Sequence, residues 1–309
     1  MTARLVLDES SWQWPGPLPE DTLEQFLEVL ETAQDRVEEI QKFSEIYQQE
    51  VQPGQKLCDI LFTPNPAHQD LLRRLQITLD RLKNWDDTTD PNPDAVIING
   101  QTIAFAPSIH FVQQRLRQRQ GTACLSLDGA RRGPLPVTAG PNTNEIHFVV
   151  DEPSHLAFYR AVFEIEDADE ASYPRLAPWA FPDLVWVDGV WSGLKDFENS
   201  FKQIRKDVTR HLGVLNDHGR ALFTQYADNG PQIRGELGSR GVDASPENGN
   251  TLQNATAKKA RERTYRDQVY LLSWHTKIER GRDRIHFHPG DANSNHKVII
   301  GIFHHHLPT

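Results

Sequence analysis

With 309 residues, 38% of them hydrophobic and 25% charged, the chain is long enough for one large packed domain or two smaller ones. No apolar run approaches the ~18–20 residues of a membrane span, so no membrane partner is expected. MTARLVLDESSW has one basic residue and no apolar core, so no secretory signal is expected either. Cys58 and Cys124 stand in no C-x-x-C spacing, which fits a reducing cytoplasm and excludes a Cys-rich zinc site.

The formal charge of −10 is unevenly spread. Residues 256–309 hold ten Lys and Arg against five acids, so the rest of the chain carries a net −15. Seven of the thirteen histidines lie between His275 and His306. This asymmetry suggests either a basic functional end carried by an acidic body or a basic tail docked on that body.

LPEDTLEQFLEVLETAQDRVEEIQKFSEIYQQEV reads as one long amphipathic helix, with Leu23, Phe26, Leu27, Leu30, Val37, Ile40 and Tyr47 at helical spacing. Asp21 and Glu24 suggest its capping box, and Pro53-Gly54 its end. A second helix, from His68 to Trp85, carries Leu71, Leu72, Leu75, Leu79 and Leu82 on one side, and an antiparallel helical hairpin over 20–85 buries both stripes. After a Pro/Asp-rich loop, Asn99-Gly100 between two β-rich runs signals a hairpin, because both turn positions need positive φ. A basic helix follows, with Ser108 as cap and Gly121 as stop; its Arg115, Arg117 and Arg119 read as a solvated face. ACLSL and EIHFVV read as strands, and a helix begins at Ser154.

The aromatic stretch around Phe181, Trp186, Trp191, Phe197 and Phe201 reads as core, as does the stripe of a helix over 194–212. LGVLNDHG ends that helix with turn-forming Asn216, Asp217 and His218. NGPQIRGELGSRGVDASPENGNTLQNAT keeps no apolar period and reads as a linker or long loop. The organisation expected is therefore an acidic body over 1–228, with a mixed part over 95–228, a Gly/Asn/Ser-rich linker over 229–256, and a basic, His-rich segment over 257–309. In fold class this is α+β, a helical and mixed body followed by a small antiparallel β-sheet at the C-terminus.

AKKARERTYRDQVYLLSW reads as a basic helix running into an apolar stretch. In RDRIHFHPGD, period two puts Arg284, His286 and His288 on one face of a strand and Ile285 and Phe287 on the other. KVIIGIFHHH is its antiparallel partner across the turn PGDANSNH, which brings these histidines near Lys297, His304 or His306 according to register. Three chemistries suit that polar face. In metal-free RNA cleavage, His275, His286, His288 and Lys277 are the catalytic candidates, and Arg284, Arg282 and Lys297 hold phosphate. No cofactor is needed for that chemistry. In a zinc site, His286, His288 and His304 are the ligands. In the third, the face simply meets solvent or an acidic partner.

The helix, the basic strand with RIHF, the turn and the closing KVIIGIF resemble the end of small toxins of the RelE/ParE type, over about the last fifty residues. The R-x-x-Y-x-I core usual near the end of those toxins is missing. The resemblance implies a cytoplasmic toxin- or phage-defence-like endoribonuclease directed at RNA or the ribosome, with an antitoxin or other protein partner. Lys277, Arg284, His286 and His288 would take the places of its catalytic residues. An inactive relative that binds nucleic acid or a protein partner has the same appearance. No P-loop, G-x-G-x-x-G, G-x-S-x-G or H-E-x-x-H pattern is present.

Overall fold

The computed structural model describes residues 4–14, 16–85, 95–227, 229–279 and 282–309. The Pro/Asp-rich loop expected before the hairpin lies largely outside them. The fold mixes helices and strands and ends in an antiparallel sheet, and the chain divides into two units, Met1–Glu166 and Asp167–Thr309. The boundary therefore falls between a helix and a short turn, far ahead of the charge reversal.

The first unit is built on an eight-stranded sheet. β1 (Arg4–Leu7) leads through α1 (Glu20–Asp35) to β2 (Glu39–Lys42), and the two strands run parallel. A small hairpin of β3 (Glu50–Gln52) and β4 (Gln55–Lys56) precedes α2 (Leu57–Phe62) and α3 (Gln69–Arg81). β5 (Lys83–Asn84) then joins β2 in parallel. The single long helix expected from the sequence thus stops at Asp35. Val37 takes φ 58°, and the next residues extend as a buried parallel strand whose apolar residues continue the helical spacing by coincidence. α1 and α3 each return the chain between parallel strands, so they run parallel to each other, not as an antiparallel hairpin. Arg74 ties them together through Glu24 and Glu31 at 2.7 Å each.

β6 (Val96–Ile98) and β7 (Gln101–Ile103) form the expected hairpin, with Asn99 at φ 51° and Gly100 at φ 78°. α4 (Pro107–Arg117) follows, then β8 (Thr122–Leu125), β9 (Gly133–Ala139), β10 (Asn142–Val149) and α5 (Glu152–Ile165). The strand order is β5-β2-β1-β8-β10-β9-β6-β7, parallel from β5 to β10 and antiparallel beyond. Val6, Cys124, Ile146 and Phe148 pack with Ile109 and Val112 of α4 in one core cluster.

The second unit starts with α6 (Tyr173–Ala180) and β11 (Leu184–Trp186). α7 (Phe201–Val214) does not stop at Asn216. It passes through a π-turn over Leu215–Gly219 into α8 (Arg220–Gln225). Gly219 allows this, because a Cβ there would meet Val298 Cγ2 at 2.7 Å. The supposed linker is folded into α9 (Gly230–Ser239), β12 (Ala244–Pro246), α10 (Gly249–Gln253) and α11 (Ala255–Ala260). The basic stretch after it is only briefly helical; its second half and the start of the apolar run form a hairpin of β13 (Glu262–Tyr265) and β14 (Gln268–Leu271). β15 (Trp274–Glu279), β16 (Arg282–His288) and β17 (Val298–His304) complete the sheet β11-β17-β16-β15-β12. It is antiparallel from β12 to β17, and β11 adds to β17 in parallel. Its aromatic core matches expectation: Trp191 stacks on Phe303 with ring centroids 5.5 Å apart.

Candidate active site

The register of the second sheet fixes which side chains meet. Ser245 stands opposite His275, and His275 opposite His286; one row along, Lys277 stands opposite Arg284, and Arg284 opposite His304. Because side chains alternate along each strand, these six residues share one face. Glu247, two residues beyond Ser245, joins them.

Glu247 Oε1 is the centre of the cluster. It lies 2.9 Å from Nδ1 of His275, 3.2 Å from Nδ1 of His286 and 3.1 Å from Nε of Arg261. Burial would raise the Glu247 carboxyl, but the hydrogen bond from His275 and the close approach of His286 and Arg261 outweigh it and hold the group well below the usual carboxylate range. An ionised carboxylate only accepts, so the His275 Nδ1 hydrogen-bonded to it carries a proton and the Nε2 of that ring is the basic nitrogen. On His275 that nitrogen faces the Ser245 hydroxyl at 3.3 Å. On His286 both ring nitrogens are buried with no hydrogen-bond partner, Nδ1 resting 3.2 Å from Glu247 Oε1. Burial lowers His286 to about 4, so it is neutral at physiological pH, and its side chain is 0% exposed. Burial also lowers Arg284, partly offset by Glu247; the residue remains partly exposed.

The sequence candidates separate sharply against this frame. His275, His286, Lys277 and Arg284 are brought together. His288 is not: it lies past the end of the pairing with β15, which stops at Trp274 opposite Phe287, and its Nδ1 accepts from the Gly290 amide at 3.0 Å. Arg282 pairs with Glu198 at 3.1 Å and Glu279 at 3.6 Å, away from the cluster. Lys297 is tied to the Pro182 carbonyl and to Asp183, both at 2.9 Å. His304 shares the Lys277–Arg284 row, but its Nδ1 accepts from the His306 amide at 3.0 Å.

A zinc site of His286, His288 and His304 is therefore not assembled. The group whose potential ligand atoms converge, all within 4.8 Å among the described residues, is Glu247, His275 and His286. Tetrahedral zinc would space its ligand atoms by roughly 3.4 Å. The separations about Glu247 come near that, yet Arg261 Nε already holds the same oxygen. This donor set fits a carboxylate neutralised by a guanidinium better than it fits a cation cage. Sequence reading missed Glu247, Ser245 and Arg261, the first two because they stand in an aperiodic stretch.

The first unit holds a second polar cluster, at the carboxyl ends of its parallel strands, the edge where open α/β sheets place ligands. Asp8, after β1, pairs with Arg131 at 2.7 Å and accepts from Ser10 at 2.6 Å. Arg131 also reaches Asp128 at 3.6 Å, and Arg132 pairs with Asp151 at 2.7 Å. Glu9 is wholly buried; burial first and the Asp8 charge second raise it to about 8, so it is protonated. The chain matches no protein-family model, no curated protein and no solved structure.

Proposed function

We propose that the second unit is a phosphodiesterase directed at RNA, an endoribonuclease of toxin or defence type that works without a metal. One observation carries this reading: His275 is clamped through Nδ1 by a buried, ionised Glu247, while its basic Nε2 points to a partly exposed hydroxyl on the sheet face that also carries Lys277 and Arg284. A carboxylate–imidazole pair fixes the tautomer and balances the charge of the imidazolium that forms when a proton is taken. Two cations on the same face supply electrostatic stabilisation for a pentacoordinate phosphorus. General base and acid therefore fall to His275. His286 is a positioning residue that braces Glu247.

The test is incubation of the purified protein with total cellular RNA and with ribosome-bound message, with and without EDTA, beside His275→Ala and His288→Ala. Cleavage that survives EDTA, falls about 10²-fold or more in His275→Ala and persists in His288→Ala is expected. Cleavage abolished by EDTA would move the chemistry to a metal on Glu247, His275 and His286. Equal cleavage by His275→Ala would overturn the reading. A non-catalytic nucleic-acid- or partner-binding role is the second reading. It is favoured by the complete burial of Arg261 and His286, which suits a structural network, and it would show as binding without turnover.

A further inference from the structure

We infer that Ser245 is a nucleophile, and that the strand pair β12–β15 carries a Ser–His–Glu relay which cleaves phosphodiesters through a covalent phosphoserine. This rests on the reading of His275 as the base. It goes further, because attack by a serine needs no 2′-hydroxyl on the substrate.

The geometry has the two links such a relay requires. Ser245 Oγ lies 3.3 Å from Nε2 of His275, and Nδ1 of the same ring lies 2.9 Å from Glu247 Oε1. The first distance is slightly long, as nucleophile–base contacts are in unliganded sites. The nucleophile lies in β12 directly opposite His275, and the orienting carboxylate follows two residues on, just past the end of the strand, where its side chain reaches the same histidine. Pro246 between them pairs with Trp274 and fixes its own φ; β12 is the edge of the sheet, where proline costs no ladder bond. Glu247 is anchored at its backbone too, since its amide donates to the Ser273 carbonyl at 2.7 Å. Ser245 is partly exposed whereas Glu247 is buried at its carboxylate, the order of accessibility a nucleophile and its orienter need. Lys277 and Arg284 stand one row along on the same face. Lys277 is held only loosely, 3.5 Å from Asp243.

The step balances as follows. The Oγ proton of Ser245 passes to His275 Nε2 as Oγ bonds to phosphorus. The P–O5′ bond breaks, and the leaving 5′-oxygen takes the proton from Nε2. Water then gives a proton to Nε2 and its oxygen attacks phosphorus. The P–Oγ bond breaks and Oγ recovers the proton, leaving a 3′-phosphate, a 5′-hydroxyl and an unchanged serine. Lys277 and Arg284 neutralise the non-bridging oxygens.

The full-length protein is treated with diisopropyl fluorophosphate, which forms the same Oγ–P bond with loss of fluoride, and the adduct is mapped by mass spectrometry. One adduct on Ser245 is expected, absent in Ser245→Ala and formed about 10²-fold more slowly in His275→Ala. Circular dichroism and thermal melting establish that each variant is folded. Ser245→Cys, which keeps a nucleophile, should retain labelling. In parallel, RNA and fully 2′-O-methylated RNA are offered as substrates. Cleavage of both by the wild type and of neither by Ser245→Ala supports the proposal. RNA cleavage undiminished in Ser245→Ala, or labelling that ignores His275, overturns it and leaves the acid–base reading of His275 standing. Labelling of Ser245 with no cleavage of either nucleic acid keeps the nucleophile but overturns phosphodiesters as its substrate.

Discussion

Glu247 and Arg261 form an ion pair in a place that excludes water: the guanidinium is 0% exposed, the carboxylate 4%, and they meet at 3.1 Å. Arg261 spends a further nitrogen on the carbonyls of Ala257 and Pro308, at 2.9 and 2.7 Å. Removing the carboxylate therefore strands a buried cation. Glu247→Ala should destabilise the second unit by about 3–5 kcal/mol. His275→Ala, which leaves the ion pair intact, should cost clearly less. Urea unfolding of both variants checks this, and equal losses would mean that the carboxylate serves the histidine alone.

The four cations once grouped as catalytic or phosphate-binding should part company in activity. Lys277→Ala and Arg284→Ala remove charge from the face that holds His275 and should lower kcat/KM for RNA about tenfold or more. Arg282→Ala and Lys297→Ala should stay within about twofold, because those side chains are committed to Glu198 and Glu279, and to Pro182 and Asp183. A uniform loss across all four would point to long-range attraction of the polyanion instead of a built site.

How far the sequence spoke follows from which signals were local. The alternation in RDRIHFH and the β-branched run after it identified β16 and β17 and paired them correctly, and Asn99-Gly100 named its own turn. The residues that complete the site were hidden because NGPQIRGELGSRGVDASPENGNTLQNAT has no apolar period. Its asparagines suit a loop, yet Asn229, Asn248 and Asn254 each cap a helix with the side-chain oxygen. His288 stands apart from the cluster for a different reason: the pairing of β16 with β15 stops at Phe287 opposite Trp274, and the spacing within one strand cannot reveal where its partner ends. The helix over-extended past Asp35 shows the converse error, in which Ile40 of a buried strand fell by chance on the helical stripe.

The turn after β16 offers a sharp test of packing. Gly290 sits at φ 94°, and a Cβ there would lie 2.3 Å from the Lys297 carbonyl oxygen and 2.8 Å from the His296 carbonyl carbon. Neither neighbour is a flexible side-chain end. Gly290→Ala should therefore cost more than the ~1 kcal/mol of a strained φ alone and should loosen the β16–β17 pairing. Gly54→Ala, also at positive φ but with open space around it, should cost only the strain. Thermal melts of the two variants decide it; equal shifts would sink the argument.

The two units should respond to pH in opposite directions. In the first, Glu9 is raised to about 8 by burial and by Asp8, against an ordinary value of 4.5. Between those values the folded state holds a proton that the unfolded state has lost. Its contribution is full below pH 4.5 and disappears as pH rises to about 8. In the second unit, burial lowers His211 and His286 from 6.5 to about 4. There the unfolded state takes up protons first, so stability present above pH 6.5 is lost as pH falls towards 4. Each group contributes at most about 1.4 kcal/mol per pH unit within its window. Hydrogen exchange read on peptides from each unit between pH 5 and 7, corrected for intrinsic rates, should show protection falling with pH in the first unit and rising in the second. Glu9→Gln should flatten the first slope and leave the second unchanged. Slopes of the same sign in both units, or a first slope indifferent to Glu9→Gln, would remove Glu9 as its source.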